Sequence, residues 1–303
     1  MERKAIIVGS NGQDGKLLAN YLNSMGYELV LIDKGDIDII NPEEVARLIL
    51  DASPSEVYFL AAYHQSSEDK RVKDHLLIKN SLEIHSLSLT YFLESIADYA
   101  PNTRFFYASS SHIFSDYGGV IQNEDTLVRP ENIYAISKYS GMLICRFYRE
   151  QRNIFASCGI LYNHESNFRP RSFLSRKVAI AAAEISRQVS DSITLGDLDV
   201  AVDWGYAPDY VDAMHRILQL EKPFDYIVAS GKAHTVRQLV DIAFSHVGLD
   251  YTNHIKIKSD LLNKEVVTRV GDARRLKEDT GWQPTISFEE MIKQMVDAEL
   301  NQL

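Results

Sequence analysis

The chain is poor in the features that build secreted, metal-holding or membrane-spanning proteins. It has two cysteines in 303 residues, Cys145 and Cys158, and their spacing matches neither a C-x-x-C redox pair nor a zinc ligand set. Both lie in apolar stretches where a buried thiol acts as a small hydrophobe, so a structural role and no metal centre are expected. No apolar run reaches the roughly 18 residues a membrane span needs. Met1 leads through two charges directly into a strand, without a leader pattern, so the expected compartment is the cytoplasm, with no membrane attachment. Positive charge is also short: 32 Lys and Arg face 42 Asp and Glu, a net charge of −10. Such a surface has no general attraction for nucleic acid, so a phosphate-bearing ligand must be met by local cations and backbone amides. Internal repeats and low-complexity segments are absent.

What is present is an alternation of short apolar runs with longer helical patterns. Lys4 to Gly9, Glu28 to Ile32, Glu56 to Ala61, Arg104 to Ala108 and Phe155 to Leu161 read as strands, with helices between them, including one from Pro42 and one around Tyr134. That order predicts an α/β fold, a doubly wound parallel sheet of Rossmann type covered on both faces. After Leu161 the pattern loosens into a basic helix near Phe173 to Gln188, a strand at Ser192 to Leu195 and a turn-rich stretch containing Trp204. A helix after Asp209, a strand at Tyr226 to Ala229, a helix from Thr235 to Val247 and a last helix from Phe288 follow. The expected division is a dinucleotide-binding part, 1–160, and a smaller mixed C-terminal substrate-binding part, 161–303, in which 205–235 partly returns to the sheet.

Two constellations carry chemistry. Gly9, Gly12 and Gly15, with Asn11, Gln13 and Asp14 between them, follow a strand and open a helix. That is the setting in which a glycine loop seats a dinucleotide pyrophosphate on a helix N-terminus. Asp33, at the end of the second strand, suits the adenosine ribose hydroxyls and repels a 2′-phosphate, favouring NAD over NADP; it could also simply begin a turn with Lys34 and Gly35. Asp38-Ile39 and Leu60-Ala61-Ala62 are read as the next two strand ends, beside the adenine and the nicotinamide-side ribose. The second constellation is Tyr134 and Lys138, four apart on one helical face, with Ser110 upstream. An ammonium beside the phenol would move its pKa from near 10 toward neutrality, making a general base for an alcohol, with Ser110 holding the reacting oxygen. Together they point to hydride transfer on a sugar or alcohol.

These residues resemble the extended short-chain dehydrogenase/reductases and, among them, the GDP-mannose 4,6-dehydratases. The likeness rests on GSNGQDG at Gly9 to Gly15, GILYNHES at Gly159 to Ser166, FLSRK at Phe173 to Lys177, DWGYAPDYV at Asp203 to Val211, and Gly281-Trp282-Gln283-Pro284. It implies that Tyr134 is the acid/base at the sugar O4, that Lys138 holds the nicotinamide ribose, and that Leu161, Asn163 and His164 border the cofactor. It also implies a GDP-sugar substrate met by His64, Ser110, Asn163, Glu165, Lys177 and Glu265. Lys177 would donate to guanine, although as an isolated residue it reads equally as a solvated helix charge. A homodimer through a four-helix interface is implied, and a tetramer is known among the dehydratases.

The departures bear on the reaction. Where the dehydratases carry the Glu that removes the C5 proton, this chain has His112, whose ordinary pKa near 6.5 also suits proton transfer; a hydrogen bond to a sugar hydroxyl is an equal alternative. Phe168 and Val202 replace arginines, and Leu262-Asn263-Lys264-Glu265 keeps only the Glu of an Arg-Pro-x-Glu signature. Arg169, Arg171 or Arg269 are the remaining cations for the diphosphate, unless they are surface charges. The expectation is an NAD-dependent enzyme acting at C4 of a GDP-linked hexose or heptose for a surface glycan. The rivals are a 4,6-dehydratase using His112 and a dinucleotide-binding regulator without turnover.

Overall fold

The computed structural model describes residues 3–63, 72–115, 120–258 and 268–302. In chain order these form β1 (Lys4–Val8), α1 (Gln13–Ser24), β2 (Glu28–Ile32), α2 (Pro42–Ala52), β3 (Glu56–Phe59) and α3 (Asp74–Leu82). A π-helical turn (Glu83–Ser88) joins α3 to α4 (Leu89–Tyr99), followed by β4 (Arg104–Ser110), a 3-10 turn (Ser111–Ile113), α5 (Ile133–Arg152), β5 (Ala156–Leu161) and β6 (Asn163–Glu165). Then come α6 (Leu174–Ser186), β7 (Ile193–Leu195), β8 (Ala201–Tyr206), α7 (Ala207–Leu218) and β9 (Asp225–Val228). The chain closes with β10 (Ala233–Thr235), α8 (Val236–His246), β11 (Ile255–Ile257), α9 (Arg274–Thr280) and α10 (Phe288–Leu300).

The main sheet is parallel in the order β2-β1-β3-β4-β5-β9. The order reverses direction between β1 and β3, and a crevice at such a switch point, outside the carboxyl ends of the strands, is where doubly wound sheets bind ligands. One face is covered by α2, α4 and α5, through Val45, Ile49, Phe92, Leu93, Met142 and Cys145. The other is covered by α1 and α7, through Leu18, Leu22, Val211, Met214 and Ile217. A third core, with Val178, Ala182, Leu239, Phe244, Met295 and Val296, joins α6, α8 and α10. The two-sided burial explains why β1, β3, β4 and β5 read as nearly unbroken apolar runs.

Caps fix several boundaries. Asn132 Oδ1 accepts from the Ala135 amide at 2.9 Å and starts α5, while Thr235 and Gln238 form a reciprocal capping box on α8. Two expectations are corrected. The Trp204 stretch is a strand, β8, between β6 and β10; its turn-forming residues, Gly205 and Pro208, stand at its end and in the helix after it. Asp38 and Ile39 are not at a strand end: they lie in the turn before α2, where the Asp38 amide donates to Glu44 Oε2 at 2.9 Å. The bend-forming Lys34-Gly35 and the Asn41-Pro42 helix start leave too few residues for a strand between them. Among the described residues, no helix is long and apolar enough to cross a membrane.

Candidate active site

The glycine loop sits at the switch point. The Gly9 amide donates to Ile32 O at 2.8 Å, and its φ of +90° is one that residues with a Cβ rarely adopt. A side chain at Gly15 would collide with the Gly9 carbonyl, so the loop and the first turn of α1 are in direct backbone contact. The N-terminus of α1 carries no side-chain cap at Gly12, leaving first-turn amides that suit a pyrophosphate. Leu60 and Ala61 border the loop: a Cβ on Gly9 would stand 2.9 Å from the Ala61 amide nitrogen. Asp33 accepts from the amides of Asn11, at 2.8 Å, and Lys34, at 2.6 Å, which fixes its carboxylate at the rim of the crevice.

Two motifs 150 residues apart interlock here. His164 Nε2 meets the Asp14 carboxylate at 2.9 Å, and its Nδ1 bonds Tyr162 O at 2.7 Å. Gln13 Nε2 donates to His164 O at 3.0 Å, and Ser166 Oγ donates to Gln13 Oε1 at 2.9 Å. Burial works against both charges, yet mutual attraction wins, leaving Asp14 below the usual carboxylate range and His164 above the usual imidazole range. His164 also stacks on Tyr210 at 4.4 Å. The side chains of Gln13, Asp14 and His164 therefore clamp β6 to α1, and any cofactor contact from this segment falls to its backbone.

The catalytic candidates converge at the ends of β4 and the start of α5. Ser110 closes β4, its hydroxyl accepting from the His112 amide at 3.3 Å and bonding the Tyr134 hydroxyl. Lys138 is buried, with Nζ donating to Ala108 O at 2.9 Å. Its Nζ lies 5.8 Å from the Tyr134 ring centre. The expected depression of the phenol is not produced by the protein alone, because burial outweighs the groups that favour the phenolate. Burial pushes Tyr134 up to about 12, opposed by Ser110 and the Arg169 charge. Burial likewise pulls Lys138 down to about 7, opposed by the Asp14 carboxylate. His112 meets the Tyr134 ring edge-on, with centroids 5.9 Å apart.

The substrate-side candidates divide. Leu161 ends β5 and Asn163 opens β6, in register with Trp204 on β8; Lys177 is half-buried in the first turns of α6. Glu165 is corrected: it is buried, accepting from Ser175 Oγ at 2.5 Å and pairing with Arg169 Nε at 3.4 Å, so its carboxylate anchors α6. Ala62 is exposed after β3. His64 and Glu265, with the rest of Leu262-Asn263-Lys264-Glu265, lie outside the described residues. Arg171 is an exposed charge 3.7 Å from Glu184. Arg169 stacks on Phe173 at 3.9 Å, and Arg269 Nε donates to Phe114 O at 2.8 Å, just beyond the His112 turn.

His85 and Ser137 were not singled out from sequence. His85 is fully buried in the π turn, its ring edge-on to Tyr134 at 5.6 Å, and its Nδ1 lies 2.8 Å from Ser137 Oγ. The available signal was weak: a lone polar side chain at a core-facing phase of a helical pattern is more often a satisfied core histidine.

A family model described as GDP-mannose 4,6 dehydratase matches residues 34–295. GDP-mannose 4,6 dehydratase 1 of Arabidopsis thaliana is 31% identical over 98% of this chain and 89% of its own length. Among solved structures, RMD from Pseudomonas aeruginosa complexed with NADPH superposes with a TM-score of 0.87, at 21% identity, over 99% of this chain and 100% of that one. The dTDP-glucose 4,6-dehydratase of Bacillus anthracis, solved with NAD, gives 0.81 at 15% identity over 97% and 96%. With a parallel sheet, a glycine loop at its switch point and a Ser-Tyr-Lys cluster beside it, the chain belongs to the GDP-mannose 4,6-dehydratase family, whose model spans most of its length.

Proposed function

We propose that the protein is an NAD-dependent enzyme that oxidises, or in reverse reduces, C4 of a GDP-linked hexose or heptose destined for a surface glycan. One observation carries this reading: Ser110, Tyr134 and Lys138 converge within hydrogen-bonding networks at the strand ends beside the glycine loop. Residues 1–160 serve as the cofactor part and 161–303 as the substrate part. The crevice suits a dinucleotide, since the Gly9 to Gly15 loop admits close backbone approach and the bare α1 N-terminus presents amides. Asp33 at its rim favours NAD over NADP, by hydrogen bonding ribose hydroxyls and repelling a 2′-phosphate. When bound, NAD supplies the acceptor for hydride from C4.

Tyr134 takes the O4 proton as the C4 ketone forms, and Ser110 orients that oxygen. The phenol needs positive charge close to it, because burial, even opposed by Ser110 and the Arg169 charge, holds it at about 12. Lys138 is the nearby cation, and Asp14 favours its charged form. His112, beside Tyr134, is placed to exchange a proton at a carbon next to the ketone or to hold a sugar hydroxyl. Asn163 and Lys177 are assigned to the diphosphate and guanine, with Arg169, whose charge is felt at Tyr134, a further cation for the diphosphate. Compartment and assembly follow the same reading: a cytoplasmic enzyme, paired with a second copy through α3 and α5.

A second reading, 4,6-dehydration with His112 in place of a carboxylate, is favoured by the family itself. Incubation with NAD and GDP-mannose followed by mass spectrometry separates the two. A product lacking one water is the dehydratase outcome. A 4-keto product retaining every oxygen is the expected one, and neither product, with GDP-heptoses tried as well, would remove the proposal.

A further inference from the structure

The hydrogen bonds around His85 run in one direction. The Tyr63 amide, which can only donate, points at His85 Nε2 at 2.9 Å, so Nε2 is the acceptor and a neutral imidazole carries its proton on Nδ1. Nδ1 lies 2.8 Å from Ser137 Oγ, and Ser137 Oγ donates to Tyr134 O at 2.9 Å. The π turn Glu83–Ser88 holds the His85 ring against the start of α5. Such single π turns inside helices recur at functional sites.

We infer that His85 is a positioning residue that fastens the loop after β3, through the Tyr63 amide, to the first turn of the catalytic helix, through Ser137 and the Tyr134 carbonyl. The inference rests on the proposed role of Tyr134 as the O4 base. The two arms serve different ends. The Tyr63 arm holds a segment whose earlier residues, Leu60 and Ala61, border the glycine loop, so it sets dinucleotide affinity. The Ser137 arm sets where the phenol stands, so it sets turnover. A misplacement of about 1 Å in a reacting group can cost on the order of a hundredfold in rate, and a buried, fully bonded imidazole is rigid enough to prevent one.

Three substitutions dissect the arms. His85→Asn keeps an amide nitrogen near the Nδ1 position and loses the Tyr63 acceptor; His85→Gln carries an acceptor to the Nε2 position and loses the Ser137 donor; His85→Leu loses both. NAD affinity, measured by titration without sugar, is expected to weaken about tenfold in His85→Leu and His85→Asn and to be largely retained in His85→Gln. Turnover number at saturating NAD and sugar is expected to fall about tenfold to a hundredfold in His85→Leu and His85→Gln, and to be rescued in His85→Asn. Ser137→Ala, which leaves the histidine in place, should lower turnover while sparing NAD affinity, and it decides the question should His85→Leu fail to fold. Equal losses in all three His85 variants, or none in either quantity, would overturn the inference. If the wild-type protein converts no sugar nucleotide, the proposed function falls while the NAD arm still decides the Tyr63 bridge.

Discussion

Lys138 is the residue at which function costs stability. Its pKa falls from the usual lysine value to about 7 on folding because burial penalises the ammonium. The unfolded chain therefore binds a proton that the folded chain does not between about pH 7 and pH 10.5, so this residue's contribution to stability rises with pH across that window. Lys138→Met should relieve the penalty. The variant is expected to be the more stable protein by on the order of a few kcal/mol at pH 7, with the difference vanishing as pH approaches 10.5, read from urea midpoints across pH, while sugar turnover is lost. The Tyr134 to Lys138 spacing and Ser110 were legible because they are local. The raised phenol was not, since its direction is set by how deeply the ring is buried, which sequence spacing does not fix.

At the level of elements, the clamp between α1 and β6 makes a prediction with a defined pH window. Asp14 is held below its usual pKa and His164 above its own, each with burial as the opposing effect. The lowered carboxylate contributes stability that is present above about pH 3.8 and lost as pH falls through its lower folded value. The raised imidazole contributes stability that is present below about pH 6.5 and lost as pH rises through its higher folded value. Asp14→Asn should therefore cost most between those values, about 3 kcal/mol, and less above the folded pKa of His164; chemical denaturation of both proteins at pH 5.5 and pH 9 checks this. The sequence showed the two motifs but not their pairing. Strands of the main sheet were legible from unbroken apolar runs, whereas β6, β8, β10 and β11 were not. Of these, β6, β10 and β11 have three residues each, too few to carry a periodicity to read, and the six residues of β8, Ala201–Tyr206, include the turn-former Gly205.

Over the whole molecule, apolar side chains remain exposed on one set of neighbouring elements. Leu76, Ile78 and Leu82 of α3, Leu87 of the π turn, and Ile136, Leu143 and Phe147 of α5 are each 37–53% exposed. On α5 the last three are spaced seven and four apart, one face of a helix, and this face supports the proposed pairing with a second copy. Light scattering should give about twice the 34.4 kDa chain mass, and Leu143→Glu with Phe147→Glu should give a folded monomer; an unchanged mass in the double variant would place the interface elsewhere. The fold class was legible because sheet and helices bury two separate cores, whereas assembly depends on a surface that composition averages over.

Hydride removal from C4, assisted by the Tyr134 phenolate, is tested most directly with a GDP-hexose deuterated at C4, incubated with NAD and followed by mass spectrometry and NMR. Deuterium is expected to leave C4, whether it is then found on the nicotinamide or elsewhere on the sugar, and Tyr134→Phe should slow this by about a hundredfold or more. Sugar converted with its deuterium still at C4, or label lost equally fast from Tyr134→Phe, would contradict it.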